Sequence, residues 1–249
     1  MNIPLKISPC PIVESTIGIN FEPNIVNDAV FGIIYNVIKD RFQNVEAFPI
    51  LKIPDEIRKN DLILMNQAHY KVTNENIVIL IGPRTLSLSC TKYYKGWDHF
   101  IKEVDDLFNK IGQLGIIKSV NRLGIRYINL FNFDIFEKIN MSIASDNVFM
   151  HFNNKFIKVD ILNNEFTSTL QVSNNITIKN VVKGALIDID TFTQKGLDAF
   201  FDNYKDLLIK GHNVEKEIFF SLLQKDYLES LEPEYFNPVS YERENNGNT

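Results

Sequence analysis

Asp188 and Asp190 stand two residues apart in Leu186-Ile187-Asp188-Ile189-Asp190. In an extended chain that spacing puts both carboxylates on one face. Paired carboxylates of this kind can hold Mg²⁺ or Mn²⁺, and would make the chain a divalent-metal-dependent enzyme. Such chemistry also asks for a third acidic ligand and a phosphate-binding element. Neither can be named: Gly82-Pro83-Arg84 reads as a turn, and the chain has no P-loop and no GxGxxG. The alternative is a solvated strand face. A second candidate is Lys92, Tyr93, Tyr94, Lys95 and Trp97, which mix basic and aromatic groups just before a helix. That mixture can stack on single-stranded bases, or can simply pack down onto a sheet. A third is Glu14 and Arg126, single charges in otherwise apolar strands. A charge so placed is costly unless paired, so the two are expected to form a structural ion pair across neighbouring strands.

Other residue types offer less. His69, His99, His151 and His212 are scattered, with no metal-ligand spacing, and read as surface or structurally satisfied side chains. Ser87 and Ser89 alternate with Leu86 and Leu88 and belong to a sheet face rather than a nucleophile elbow. Cys10 and Cys90 are too far apart in sequence for a CxxC or zinc motif, which points to idle thiols in a reducing compartment. No cofactor is expected. The 26 basic and 31 acidic residues are interspersed, giving a formal charge of −5. A molecule-wide basic field of the kind that grips nucleic acid is therefore absent, though a local patch is not. The first residues lack a charged and then apolar leader, and no apolar run approaches the roughly 18 residues of a membrane span. A soluble cytoplasmic protein is expected.

The elements that must position these residues follow from periodicity. Residues 12–21 alternate, with Val13, Ser15, Ile17, Ile19 and Phe21 on one face, and Glu22-Pro23-Asn24 closes the strand. Val26, Val30, Ile33, Ile34, Val37 and Ile38 build a helical stripe over 25–42. Residues 43–61 carry Pro49 and Pro54 and are expected to form an extended or looping excursion. Strands are predicted at 62–72, 77–81 and 84–91, and a helix at 96–112 with Phe100, Val104, Leu107, Phe108 and Ile111 inward and Gly112 or Gly115 as its cap. After that come a strand at 119–131, a short helix at 134–138, and strands at 141–145, 149–160, 165–173 and 181–192. Asn163-Asn164 and Asn174-Asn175 are read as turns between them. A helix at 195–209, an interruption at Lys210-Gly211, a helix over 212–231 with Val214, Ile218, Phe219 and Leu222 inward, and a frayed tail complete the chain.

The order repeats. Lys95-Gly96, Asp98, Phe100, Asp106, Leu107 and Lys110 recur as Lys195-Gly196, Asp198, Phe200, Asp206, Leu207 and Lys210, and Leu123-Gly124-Ile125-Arg126-Tyr127 echoes Ile17-Gly18-Ile19-Asn20-Phe21. The fold class expected is α+β: an internally duplicated unit of antiparallel sheet with helices packed on one face, in a pseudo-twofold, two-lobed arrangement. Residues 1–118 form the first repeat, 119–235 the second, and 236–249 a flexible tail. Whether the repeats share one core or form two domains stays open, since no linker divides them.

Through Pro11-Ile12-Val13-Glu14, Trp97 to Phe100, Leu123-Gly124-Ile125-Arg126-Tyr127-Ile128-Asn129 and Leu186-Ile187-Asp188-Ile189-Asp190, the chain resembles an uncharacterised, sporadically distributed prokaryotic family over most of residues 9–231. The resemblance implies no particular activity, cofactor or catalytic residue. Sporadic distribution implies horizontally carried genes, such as mobile elements or defence islands. The leading reading is a non-enzymatic protein-interaction or regulatory protein with an unidentified protein partner, one subunit of a defence, toxin–antitoxin or mobile-element system. A homodimer through sheet edges is open. The alternatives are a nucleic-acid-binding protein using a sheet face with the Lys92–Trp97 loop, and the metal-dependent enzyme using Asp188 and Asp190.

Overall fold

Among the described residues, nine strands form one antiparallel sheet in the order β2-β3-β4-β5-β1-β6-β9-β8-β7. In this computed structural model residues 3–141, 155–163, 165–178 and 182–236 are described. The strands are β1 (Ile12–Pro23), β2 (Asn44–Ala47), β3 (Tyr70–Thr73), β4 (Ile77–Ile81), β5 (Thr85–Cys90), β6 (Ile117–Phe131), β7 (Phe156–Leu162), β8 (Thr167–Ile178) and β9 (Val182–Thr193). The helices are α1 (Asn27–Ile38), α2 (Asp55–Asn60), α3 (Trp97–Gln113), α4 (Phe200–Leu222) and α5 (Lys225–Ser230). The α+β class is therefore borne out. Among the described residues, no helix is long and apolar enough to cross a membrane.

Alternation dictates which face is covered. Ile17, Ile19 and Phe21 of β1, Leu123, Ile125 and Tyr127 of β6, and Ile187 and Ile189 of β9 are buried and point toward the helices. The residues between them, Thr16, Gly18, Arg126, Asp188 and Asp190, line the helix-free face. Beneath the helices lie two packed clusters. One gathers α1, α3 and the first half of α4 over β1, β4, β5 and β6. The other gathers the second half of α4 and α5 over β8 and β9. β1 and β6 pair at the sheet centre, with Gly18 directly opposite Gly124. A Cβ on Gly18 would stand 2.9 Å from that of Ser87, and one on Gly124 would collide with the Arg122 guanidinium. The two glycines keep the helix-free face low at this point.

The sequence-based boundaries hold for α3, whose five expected inward residues are all buried. Gly115, at φ +62°, is the left-handed residue that ends the helix, while Gly112 lies inside it and admits Phe201. Four expectations need correction. Residues 62–72 contribute only the four-residue β3, because Asp61 Oδ1 accepts from the backbone of Ile63 and Leu64 and turns the preceding stretch into a 3-10 helix. Residues 43–61 carry β2 and α2 as well as loop. Asn174-Asn175 is a bulge inside β8, not a turn: Asn174 is buried, accepts from Lys155 N and donates to Asp134. Finally, α4 begins at Phe200 rather than at Lys195-Gly196, runs unbroken through Gly211, and breaks at Leu223-Gln224. The strand expected at 141–145, the first part of 149–160, His151, Asn164 and the tail beyond 236 lie outside the described residues.

Candidate functional site

On the helix-free face, Arg126 of β6 forks onto Asp188 of β9, with Nε 2.8 Å from Oδ1 and Nη2 2.6 Å from Oδ2. Gln171 adds a third donor at 3.3 Å. The bidentate geometry suits a guanidinium and a carboxylate, and these bonds hold Arg126 above its ordinary pKa. Beside this pair, Arg122 meets Asp190 at 2.8 Å and lies over the ring of Phe192, 4.4 Å from its centroid. Arg126 thus takes Asp188, not Glu14, as its partner. The register explains the exchange. Glu14 and Asp188 both stand opposite Ile128, one on each flanking strand, so both are diagonal to Arg126. Only Asp188 is buried, with its side chain 5% exposed, and an unpaired buried carboxylate costs more than an unpaired exposed one. Glu14 instead accepts from Thr16, whose hydroxyl also meets Ser89 at 2.7 Å. Both carboxylates considered as metal ligands therefore face guanidiniums. Among the described residues, no group of three or more His, Cys, Asp or Glu side chains is placed to hold a metal ion.

The loop of Lys92, Tyr93, Tyr94, Lys95 and Trp97 leads elsewhere. It forms one wall of a cavity of about 240 Å³ on the helix-covered side of the sheet centre. β6 supplies Tyr127 and Asn129, and α4 supplies His212, Glu215, Lys216, Phe219 and Phe220. The segment from Leu5 to Ile12 forms the remaining wall. That segment is tied down by residues just past α5: Leu5 N donates to Glu234 O at 2.6 Å, Ser8 N to Leu231 O at 2.7 Å, and Lys6 meets the Glu234 carboxylate at 2.9 Å. The cavity opens at the seam between the two clusters, because Tyr127, Tyr94 and Trp97 pack with the first and Ile7, Phe219 and Phe220 with the second.

Tyr94 and Trp97 point inward. The indole of Trp97 lies flat against His212, with centroids 3.9 Å apart and planes at 2°. Tyr94 Oη stands 3.3 Å from Tyr127 Oη, which in turn stands 3.2 Å from His212 Nδ1. A neutral imidazole accepting at Nδ1 lets Tyr127 donate to it and Tyr94 donate to Tyr127, so the three side chains form one directed chain. Burial drives His212 down to about 3 and pushes the hydroxyls of Tyr94 and Tyr127 up. All three hold their neutral forms at ordinary pH.

Glu215 is different. It is 4% exposed, and among the described residues no hydrogen bond or ion pair reaches its carboxyl oxygens, which stay open to the cavity they line. Burial raises it well above the usual carboxylate range, opposed in part by the charge of neighbouring Lys216, which burial in turn lowers. Among the polar side chains of the site it is the one whose partner must come from within the cavity itself.

Sequence reasoning found the loop and left its aromatics either stacking on bases or packing onto the sheet; Tyr94 and Trp97 do the latter, and the reading missed Tyr127, Asn129, His212 and Glu215 as their neighbours. A signal was there. Gly211, Glu215 and Phe219 fall at four-residue spacing along α4 and all three are buried. The expected inward stripe of Val214, Ile218, Phe219 and Leu222 had Phe219 right but was centred off the buried line of Gly211, Glu215 and Phe219, and so passed over Glu215. The fold and site define an α+β protein with an aromatic cavity at its sheet centre and one buried carboxyl inside it. No family model and no curated protein matches the chain.

Proposed function

We propose that this chain is a non-enzymatic binding or regulatory protein whose ligand site is the cavity between β6 and α4. The observation that carries the reading is Glu215, buried, unpartnered and facing a space lined by aromatic side chains. A small molecule that offers this carboxyl a hydrogen bond inside an apolar space is held more tightly than one that does not. His212, Tyr94 and Tyr127 are each displaced away from neutral pH, so these three are not poised for proton transfer, whereas Lys216 is lowered by burial. The nucleic-acid reading has less support, since Tyr94 and Trp97 are engaged inside and only Lys92, Tyr93 and Lys95 stand outside.

The reading extends to a protein partner that senses occupancy, in the cytoplasm, and to the defence, toxin–antitoxin or mobile-element setting that the family resemblance implies. It also includes the internal duplication. Two features support that: β5, β4 and β3 flank β1 in the same succession as β9, β8 and β7 flank β6, and Gly96 and Gly196 both have positive φ after a sheet strand.

The chain's single tryptophan, Trp97, forms part of the cavity wall. Titration with anilinonaphthalene sulfonate, an anionic aromatic dye, is expected to saturate at one site with energy transfer from Trp97. In Trp97→Phe the transfer vanishes while the dye's own emission still saturates. Dye binding that never saturates, or saturates without transfer from Trp97, removes the cavity as the site.

A further inference from the structure

β7 ends the sheet on one side, and its outward edge is complementary to itself. We infer that two copies of this chain form a twofold-symmetric dimer in which β7 pairs antiparallel with β7 of the second copy. The two sheets then run on into one, with the helices of both copies on the same side. This contact stands apart from the cavity, and the failure of either leaves the other in place.

The backbone sets the terms. β7 pairs with β8, and among the described residues nothing pairs with its other side. Asn163 and Phe166 exchange both backbone hydrogen bonds, at 2.9 and 3.0 Å, and Asn174 N donates to Lys155 O at 3.1 Å. Hydrogen-bonded pairs alternate along an antiparallel ladder. Between these two anchors the register therefore turns the amide groups of Ile157, Val159 and Ile161 toward β8. Those of Phe156, Lys158, Asp160 and Leu162 point away from the sheet. A row of open donors and acceptors is a template for another strand.

Charge then selects the register. A twofold-related strand can use that row only where outward residues meet outward residues. With the axis at Lys158, lysine faces lysine; with the axis at Asp160, aspartate faces aspartate. With the axis at Val159, Lys158 meets Asp160 of the second copy and Asp160 meets its Lys158. Ile157 then meets Ile161, Phe156 meets Leu162, and the whole strand is used. Opposite charges facing one another across strands are favourable, and like charges are not. The neighbouring charges are taken, Lys155 by Asp134 and Glu165 by Lys210, whereas among the described residues Lys158 and Asp160 form no ion pair. Asp160 accepts only from the neutral hydroxyl of Thr169, at 2.7 Å.

The exposed side chains agree. Phe156 is 66% exposed, Val159 40% and Leu162 81%. Such a row on an edge needs a cover. Phe-Ile-Lys-Val-Asp-Ile-Leu laid against its own reverse puts apolar on apolar and lysine on aspartate, as an isologous interface requires. The other edge strand, β2, is only four residues long, and its Glu46 already meets Lys71. One paired strand covers less than the roughly 1,200 Å² at which stable interfaces begin, so the dimer forms reversibly with concentration.

Sedimentation of the full chain from micromolar to millimolar concentration is expected to show a monomer–dimer equilibrium that stops at two. Lys158→Glu and Asp160→Lys should each weaken it about tenfold, since each sets like charges opposite one another twice. Mixing these two variants should restore a dimer of unlike chains, because every facing pair is then of opposite sign. Lys158→Asp combined with Asp160→Lys should dimerise as the parent does. Asp160→Pro removes one outward N–H, leaves the bonds to β8 in place and should abolish the dimer. Val159→Cys should cross-link two chains under mild oxidation, since Cα atoms of such a non-hydrogen-bonded pair lie about 4.5 Å apart. Cys10→Ser in that background removes the exposed native thiol. Thermal melts show which variants fold, and the mixing experiment is read on those that do. A parent chain that stays monomeric throughout overturns the dimer. Assemblies that keep growing mean that β7 pairs with β2, and overturn the twofold. A dimer indifferent to both charge changes, or one whose Val159→Cys form does not cross-link, is joined elsewhere, and β7 is overturned as the interface.

Discussion

His212 and Glu215 lie on one helix, three residues apart, and respond to pH in opposite senses. The folded-state value of His212 is depressed from 6.5 to about 3. Its contribution to stability is therefore complete above 6.5 and lost as pH falls toward 3. Every tenfold change in proton affinity corresponds to roughly 1.4 kcal/mol, so up to several kcal/mol is at stake in that window. Glu215 is raised from 4.5, so its contribution is present below 4.5 and lost as pH climbs through its folded value. Urea midpoints measured from pH 4 to pH 8 test both. His212→Asn should flatten the acid limb, and Glu215→Gln the alkaline limb; a wild-type acid limb unchanged by His212→Asn would contradict the burial assigned to the imidazole. At this scale the sequence was only partly legible. Arg126 could be recognised as a charge in need of a partner, but two carboxylates stand diagonal to it, and only burial in the folded sheet distinguishes Asp188 from Glu14. Glu215 was hidden differently, since a glutamate among helix residues reads as solvated until the stripe is phased through Gly211 and Phe219.

Elements obey periodicity where one physical cause dominates and depart from it where two compete. The stripe of α3 was readable because its apolar residues repeat cleanly. Gly211 was misread as an interruption because glycine disfavours helix in isolation. In the folded protein it lets α4 approach the sheet: a Cβ there would stand 2.9 Å from Ile125 Cδ1 and 3.0 Å from Phe166 Cε1. Gly211→Val is expected to lower stability by about 1–3 kcal/mol, the usual cost of overpacking, although it replaces a poor helix former. Thermal or urea unfolding measures it, and a stabilised variant would mean that α4 has room to shift. The bulge at Asn174-Asn175 was missed for a related reason. Two asparagines favour a turn locally, but Asn174 finds its hydrogen bonds at Lys155 and Asp134, which are remote in sequence.

Across the whole molecule, the succession of the longer elements, β1, α1, β4, β5, α3 and β6, could be read in advance, whereas the short β2 and α2 and the merging of the strands into one sheet could not. Nothing in an alternating strand says which other strand it will join. β1 and β6 pair along almost their full length, and α4 sends Phe200, Tyr204, Leu207 and Leu208 into the cluster beneath α1 and α3. Fragments 1–116 and 117–236 are accordingly expected to stay unfolded when made separately and to assemble when made together. Amide spectra read this directly, and a well-dispersed spectrum from either fragment alone would show that the two parts fold independently. The cavity sits where these packed regions meet, with Trp97 on one bank and Phe219 on the other. Anything lodged there acts as a wedge as well as a guest, because it sets the gap between the banks and with it the tilt of α4 over the strands. Occupancy would thus be broadcast to the distant sheet margins, β2 and β7, by a change in shape that breaks no bond along the way.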